Sequence, residues 1–297
     1  MRKSYIVSAK RTAIGSFLGG LATVKPKDMG SAVVKALLED ANVAPENVDE
    51  VICGNVLGAG LGQNIGRTIA LEAGIPETVC AHSVNMVCGS GLRTVMEAVM
   101  SIQCGFNDIV VAGGVESMSG APYLIPANTR TGNKMGNFTV VDHMIYDALT
   151  DARANIHMGV TAENIAKKYN ITREEQDAFG YASQQKAIAA VDSGRFKDEI
   201  VPITVHLKKQ DVIFDTDEHP NRKSTPEKMA KLRPAFVKDG TVTAGNASGI
   251  NDGASFVLVA SEDAVKKYNL TPMAEIIGFG QGGGKALGVF QTAAGIA

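Results

Sequence analysis

The first 120 residues alternate short apolar, β-branched runs with stretches whose apolar residues have helical spacing. The strand-like runs cover residues 4–8, 50–53 and 108–112, and the helix-like stretches cover about residues 28–40, 65–73 and 88–102. This alternation is typical of βαβ units, because a crossover connection must carry the chain back before the next parallel strand begins. The sequence therefore predicts an α/β fold around a mostly parallel sheet that is buried on both faces.

The pattern changes after about residue 120. Up to about residue 243 the chain is richer in charged and turn-forming residues, and one helix begins at a capping box over Thr172–Glu175. Apolar strand-like sequence returns at residues 254–260, a helix follows over about 262–268, and a strand is predicted at 273–277. The middle block is therefore interpreted as an inserted, partly exposed subdomain.

Composition excludes several classes of protein. The 297 residues are 45% hydrophobic, and 29 basic residues nearly balance 31 acidic ones, which disfavours disorder and offers no basic surface for nucleic acid or an anionic membrane. No apolar stretch approaches the ~20 residues that cross a bilayer. The four cysteines form no CxxC pair and the histidines lack ligand spacing, so we expect no disulfide framework, no metal site and a cytoplasmic location.

Cys88 lies in the most informative local segment, residues 83–97. Gly89 and Gly91 permit a tight backbone path, and apolar residues then keep helical spacing, which places Cys88 at or just before a helix N-terminus. The partial positive charge there favours a thiolate nucleophile. The alternative is that Cys88 is a small buried hydrophobe. For Cys53, Cys80 and Cys104 the buried interpretation is preferred.

Two further segments could line a pocket. His157, followed by Met158 and Gly159, opens a predicted helix, although a capped helix start with a satisfied histidine explains it equally. Residues 240–254 are dense in Gly, Asn and Ser, which lets a backbone approach a ligand and expose N–H donors. An ordinary long loop is the alternative for this segment.

Taken in order, these segments resemble the thiolase family, and within it the biosynthetic acetyl-CoA acetyltransferases. The motifs that carry the resemblance are Ile6–Thr12, Gly54–Leu57 with Gly60–Asn64, the Cys88 segment, Gly113–Ser119, His157–Gly159 and Gly245–Ala254. The resemblance implies a layered α/β fold of two stacked halves, with the C-terminal half largely missing here. Residues 1–119 and 248–272 would form the N-terminal half, 120–247 the inserted loop domain, and 273–297 the start of the second half.

The resemblance also implies a chemistry in two half-reactions. Cys88 would accept an acetyl group from one acetyl-CoA, and a second acetyl-CoA would attack the acyl-enzyme to give acetoacetyl-CoA, with thiolysis as the reverse. Coenzyme A thioesters would be the substrates, with no cofactor, no metal, and no nucleic-acid or membrane partner, and the full-length family implies a homo-oligomer. The residues implied to contact coenzyme A are Leu149, His157, Met158, Ala244, Ser248 and, for a nucleotide phosphate, Arg222.

The sequence departs from the family after Gly282. The family's Asn-Glu-Ala-Phe segment, its activating His and its second catalytic Cys have no counterpart here. We therefore expect that this polypeptide alone cannot complete the condensation. We also expect one side of the helix after Cys88 to be bare apolar surface that promotes association. A degradative 3-ketoacyl-CoA thiolase and a non-catalytic acyl-CoA-binding fragment stay open as alternatives.

Overall fold

Mixed secondary structure runs through residues 2–282, the part of the chain that a computed structural model describes. The strands are β1 (Ser4–Thr12), β2 (Gly15–Ser16), β3 (Glu50–Gly54), β4 (Cys80–Val84), β5 (Ile109–Ser117), β6 (Tyr123–Leu124), β7 (Val141–Asp142), β8 (Ile200–Val201), β9 (Ile203–His206), β10 (Asp211–Phe214), β11 (Asn251–Ser261) and β12 (Ala274–Glu275). The helices are α1 (Pro26–Ala41), α2 (Ile65–Glu72), α3 (Ser90–Gln103), α4 (Met158–Tyr169), α5 (Arg173–Asp192), α6 (Pro226–Ala230) and α7 (Glu262–Lys267).

Most elements lie where the sequence pattern predicts them. The capping box is confirmed: the Thr172 hydroxyl accepts the Glu175 N–H, and the Glu175 carboxylate accepts the Thr172 N–H. The strand predicted at residues 273–277 is present only as Ala274–Glu275. Residues 283–297, to which the predicted second unit extends, lie outside the described residues.

The central sheet is mixed, so the prediction of a mostly parallel sheet is wrong. Its order is β12-β1-β11-β5-β3-β4, and β11 runs antiparallel to both β1 and β5. Among the strands within residues 2–282, only β3 with β4, β3 with β5, and β8 with β1 pair in parallel. The chain leaves the sheet at β5 and returns beside it as β11 in the opposite direction, so this connection does not form a βαβ unit.

Helices cover the two faces of this sheet unequally. Helices α1 and α2 pack on one face over the larger apolar core, in which Phe256 and Leu258 of β11 are fully buried. Helix α3 packs on the other face, against Val110 and Val259. Its exposed side carries Leu92, which is 49% exposed. Leu92 is the one exposed large apolar residue of α3, so the expectation of a bare apolar side on this helix stays a prediction.

Residues 118–250 connect β5 to β11 and contain two small antiparallel sheets, β6 with β7 and β9 with β10. An ion pair ties this region to β1, because the Arg11 guanidinium contacts both oxygens of Asp217 at 2.7 and 3.0 Å. The Ile14 N–H donates to the same carboxylate. The domain boundaries inferred from sequence stay a prediction.

Candidate active site

Cys88 is exposed and lies two residues before α3, whose N-cap is Gly89. The predicted position at a helix start is confirmed, and the interpretation of Cys88 as a buried hydrophobe is wrong. Val87 has a φ of 50°, a left-handed conformation that is unusual and strained for a β-branched residue. The Ser90 hydroxyl supports this turn by accepting the Met86 N–H and donating to the Val87 carbonyl.

The end of β3 lies directly against the start of α3. A Cβ atom added at Gly54 would lie 2.8 Å from the Ser90 carbonyl carbon and 2.9 Å from the Gly91 nitrogen. Carbon atoms in contact normally lie about 3.5–4.0 Å apart, so no side chain fits at Gly54. This glycine therefore sets how closely the helix that follows Cys88 approaches the sheet.

A cavity of about 640 Å³ opens at Cys88, on the face of the sheet that α3 only partly covers. Its lining is mainly apolar and comes from the ends of β3 and β5, from β11, from α3 and from the segment before α4. The lining residues that bear on function are Val56, Leu57, Cys88, Glu116, Leu149 and Gly249. An apolar cavity with few polar groups beside an exposed thiol suits a small uncharged group such as an acyl chain.

Glu116 at the end of β5 is a polar group in this cavity to which the sequence analysis assigned no role. Burial raises the pKa of its carboxyl group, although hydrogen bonds from the N–H groups of Leu57 and Val56 act in the opposite direction. Glu116 lies within the motif Gly113–Ser119, which covers the end of β5. A lone carboxylate in that run of small and apolar residues was the signal that could have identified it.

Leu149 lies beside His157 and Met158, and their contacts with coenzyme A stay a prediction. The Met158 N–H donates to the Leu149 carbonyl at 2.8 Å. His157 is the N-cap of α4, and its Nδ1 accepts the Gly159 N–H at 3.0 Å. The capped-helix interpretation is thus confirmed. Leu149 lines the cavity, whereas His157 and Met158 are not among its lining residues.

The His157 ring also stacks on Phe236, with centroids 5.0 Å apart and 20° between the planes. Gly159 makes room for this ring, because a Cβ atom there would lie 2.2 Å from the Phe236 Cγ. The glycine of the His-Met-Gly motif therefore has a packing role.

The segment that carries Ala244 and Ser248 is held against α4. The Glu163 carboxylate accepts the N–H groups of Thr241 and Val242 at 2.8 to 3.0 Å. The Ser248 hydroxyl lies 3.4 Å from the carbonyl oxygen of Gly249. Gly249 lines the cavity, whereas Ala244 and Ser248 are not among its lining residues. Glu163 therefore ties the small-residue segment to α4, and that segment reaches the cavity at Gly249.

Arg222 lies apart from the cavity lining. Its guanidinium forms a two-point ion pair with Asp192 of α5, at 2.6 and 3.0 Å, and both side chains are exposed. Binding of a phosphate by Arg222 would require this pair to separate.

The remaining cysteines differ from one another. Cys53 is buried as predicted, and burial raises the pKa of its thiol to about 12. Cys80 and Cys104 are exposed, so the prediction that they are buried is wrong. Cys80 begins the edge strand β4 and Cys104 follows the last residue of α3, positions that neighbouring elements leave uncovered.

Comparison with known proteins defines the class. The profile described as "Thiolase, N-terminal domain" matches residues 4–263. The chain belongs to the thiolase family. A crystal structure of the Bacillus anthracis acetyl-CoA acetyltransferase superposes with a TM-score of 0.90 at 42% identity, covering 93% of this chain and 70% of that one.

Curated relatives agree in both name and extent. The acetyl-CoA acetyltransferase of Thiocystis violacea is 54% identical over 279 residues, which are 94% of this chain and 71% of the relative. The acetyl-CoA acetyltransferase of Escherichia coli K12 is 51% identical over 283 residues, 95% of this chain and 72% of the relative. Within residues 2–282, no helix combines the length and apolar character needed to cross a membrane.

Proposed function

We propose that this chain is an acyltransferase that takes an acetyl group from acetyl-CoA onto Cys88. The observation that carries the proposal is the exposed Cys88 thiol at the start of α3, beside an apolar cavity of about 640 Å³. The names of the relatives support acetyl-CoA as the donor. A thioester is already an activated acyl donor, so the transfer needs no further cofactor.

In the first half-reaction, the Cys88 thiolate attacks the carbonyl carbon of the thioester. A sulfur–carbon bond forms at Cys88, the carbon–sulfur bond to coenzyme A breaks, and the released coenzyme A thiolate takes up a proton. Cys88 lies two residues before α3, and the start of a helix carries a partial positive charge from its free N–H groups.

We infer that the arm of coenzyme A runs from the cavity along the start of α4. Two residues support this path: Leu149 lines the cavity, and Met158, the first residue of α4, is hydrogen-bonded to it. The further contacts proposed are His157, Ala244, Ser248 and Arg222. A cytoplasmic location and a homo-oligomer also belong to the proposal, and the free state of all four cysteines supports a reducing compartment.

Incubation with acetyl-CoA followed by intact mass measurement tests the proposal. We expect the mass of one acetyl group on the unmodified chain and on Cys80→Ala and Cys104→Ala, which remove the other exposed thiols. We expect no adduct on Cys88→Ala. Tight binding of acetyl-CoA without acetylation would instead favour the non-catalytic acyl-CoA-binding alternative.

The second half-reaction is tested in the same incubation. It needs a base that removes a proton from the second acetyl-CoA, and the described residues that line the cavity include no histidine and no cysteine other than Cys88. We expect acetylated Cys88 without acetoacetyl-CoA in the products. Formation of acetoacetyl-CoA, detected by mass spectrometry, would show that another group supplies the base.

A further inference from the structure

The loop that follows β3, residues 55–59, forms one wall of the cavity beside Cys88. Val56 and Leu57 both line the cavity, and Leu57 is only 3% exposed. The loop belongs to no strand or helix. The Asn55 N–H donates to the Val84 carbonyl, and the N–H groups of Val56, Leu57 and Ala59 donate to side chains from elsewhere in the fold.

Glu116 provides most of this support. Its Oε2 accepts the Val56 N–H at 2.9 Å, and its Oε1 accepts the Leu57 N–H at 3.0 Å. The Asn55 amide also donates to Oε1 at 2.9 Å. One carboxylate therefore accepts hydrogen bonds from three consecutive residues of the loop.

His143 holds the far end of the same loop. Its Nε2 accepts the Ala59 N–H at 3.4 Å, while its Nδ1 contacts the Asp147 carboxylate at 2.6 Å. His143 is itself buried, and it lies directly before the short π-helix Met144–Ala148. That turn ends beside Leu149 in the cavity wall, so the two walls are joined through the histidine.

We propose that Glu116 and His143 are positioning residues that hold the 55–59 loop against the acyl group of the bound thioester. They touch no reacting atom, and they act through Val56 and Leu57. The proposal rests on the proposed function, since the acyl group on Cys88 is what the loop would contact. A firmly held wall limits the space beside Cys88 and favours a short acyl chain.

A carboxylate suits this role because both of its oxygens accept hydrogen bonds. In Glu116→Gln the amide oxygen can keep the bonds from Leu57 and Asn55, but the amide NH₂ then faces the Val56 N–H. Two donors cannot bond, so this variant releases Val56 while preserving side-chain size.

Acetylation of Cys88 measured against acetyl-CoA concentration tests the proposal. We expect Glu116→Gln to raise the half-saturating concentration about ten-fold, because hydrogen bonds to a charged group are among the stronger ones. The maximal rate should stay within about three-fold of that of the unmodified chain. This combination would show that the variant binds acetyl-CoA more weakly while the acetyl-transfer step is retained. Hexanoyl-CoA should lose less affinity than acetyl-CoA, because the released wall leaves room for the longer chain.

Asp49→Ala is the control. Oδ2 of the Asp49 carboxylate accepts the N–H groups of Asp108 and Ile109 at 2.7 and 2.8 Å, at the opposite end of β5 from Glu116. Alanine removes this acceptor, so the variant loses carboxylate bonds to backbone N–H groups away from the cavity. An equal rise in half-saturating concentration in both variants, or a fall in maximal rate alone, would overturn the proposal.

Amide exchange at Val56 separates failure of this proposal from failure of the proposed function. If no acyl-CoA acylates the unmodified chain, the acyl-transfer proposal is wrong, and exchange alone decides the positioning role. We expect Val56 to exchange about ten-fold faster in Glu116→Gln, as for a lost hydrogen bond of about 1.4 kcal/mol. Unchanged exchange would refute the role. If Glu116→Gln fails to fold, His143→Phe provides the same test at Ala59.

Discussion

Gly54→Ala should weaken the contact between the sheet and the helix that follows Cys88. The new Cβ atom would lie 2.8 Å from the Ser90 carbonyl carbon, against an ordinary separation of about 3.5–4.0 Å. The start of α3 must therefore move by roughly 0.7 Å or more. Overpacking of this kind costs about 1–3 kcal/mol.

Thermal unfolding followed by circular dichroism measures this cost. Each kcal/mol corresponds to a fall in Tm of roughly 2–4 °C for a domain of about 200 residues. The acetylation rate of Cys88 should fall roughly 10- to 100-fold, because a displacement near 1 Å disturbs the alignment of reacting groups.

Gly91→Ala is the matched comparison for stability. It lies in the first turn of the same helix, but a Cβ atom there meets no atom within 4 Å. Alanine favours helix over glycine by up to about 1 kcal/mol, so Tm should rise or stay unchanged. Equal Tm values for the two variants would refute the steric role of Gly54.

Three further results are expected. Burial tends to raise the pKa of Asp217, but the Arg11 ion pair lowers it overall, so Asp217→Asn should cost about 3 kcal/mol in urea unfolding at neutral pH. The difference in unfolding free energy between Asp217→Asn and the unmodified chain should shrink once the pH falls below about 4. It should vanish when the pH is below the lowered pKa of Asp217, because the carboxylate stabilises the fold only when it is ionised. Gly159→Ala should displace Phe236 and weaken acetyl-CoA binding in calorimetry, and unchanged binding would contradict the packing role. Leu92→Lys should reduce concentration-dependent association in light scattering, and an association that persists unaltered would exclude this surface.

The positions of most helices and strands were predictable because they follow local rules. Apolar spacing located α1, α2 and α3, and the reciprocal bonds of Thr172 and Glu175 begin α5 as their separation of three residues predicts. The order of strands was not predictable, because local spacing does not say where a strand pairs. Strand β11 comes between β1 and β5 only because residues 118–250 return it to that point.

The candidate site was likewise predictable only in its local features. The glycines beside Cys88 and the helical spacing after them are local, and they were sufficient to identify the thiol and its position before α3. Glu116 could not be assigned a role, since its partners Val56 and Leu57 lie about sixty residues earlier in the chain. The exposure of Cys80 and Cys104 was also mispredicted, because burial depends on which neighbours cover a residue.

By itself, the sequence determined the family, the position of Cys88 before a helix, and the run of helices and strands. Each of these follows from residue types and their spacing along a few turns of chain. Only the tertiary structure decided the mixed sheet, the fit of Gly54 against α3 and the support of the 55–59 loop by Glu116 and His143. These features depend on contacts between residues far apart in sequence, which exist only once the sheet has formed.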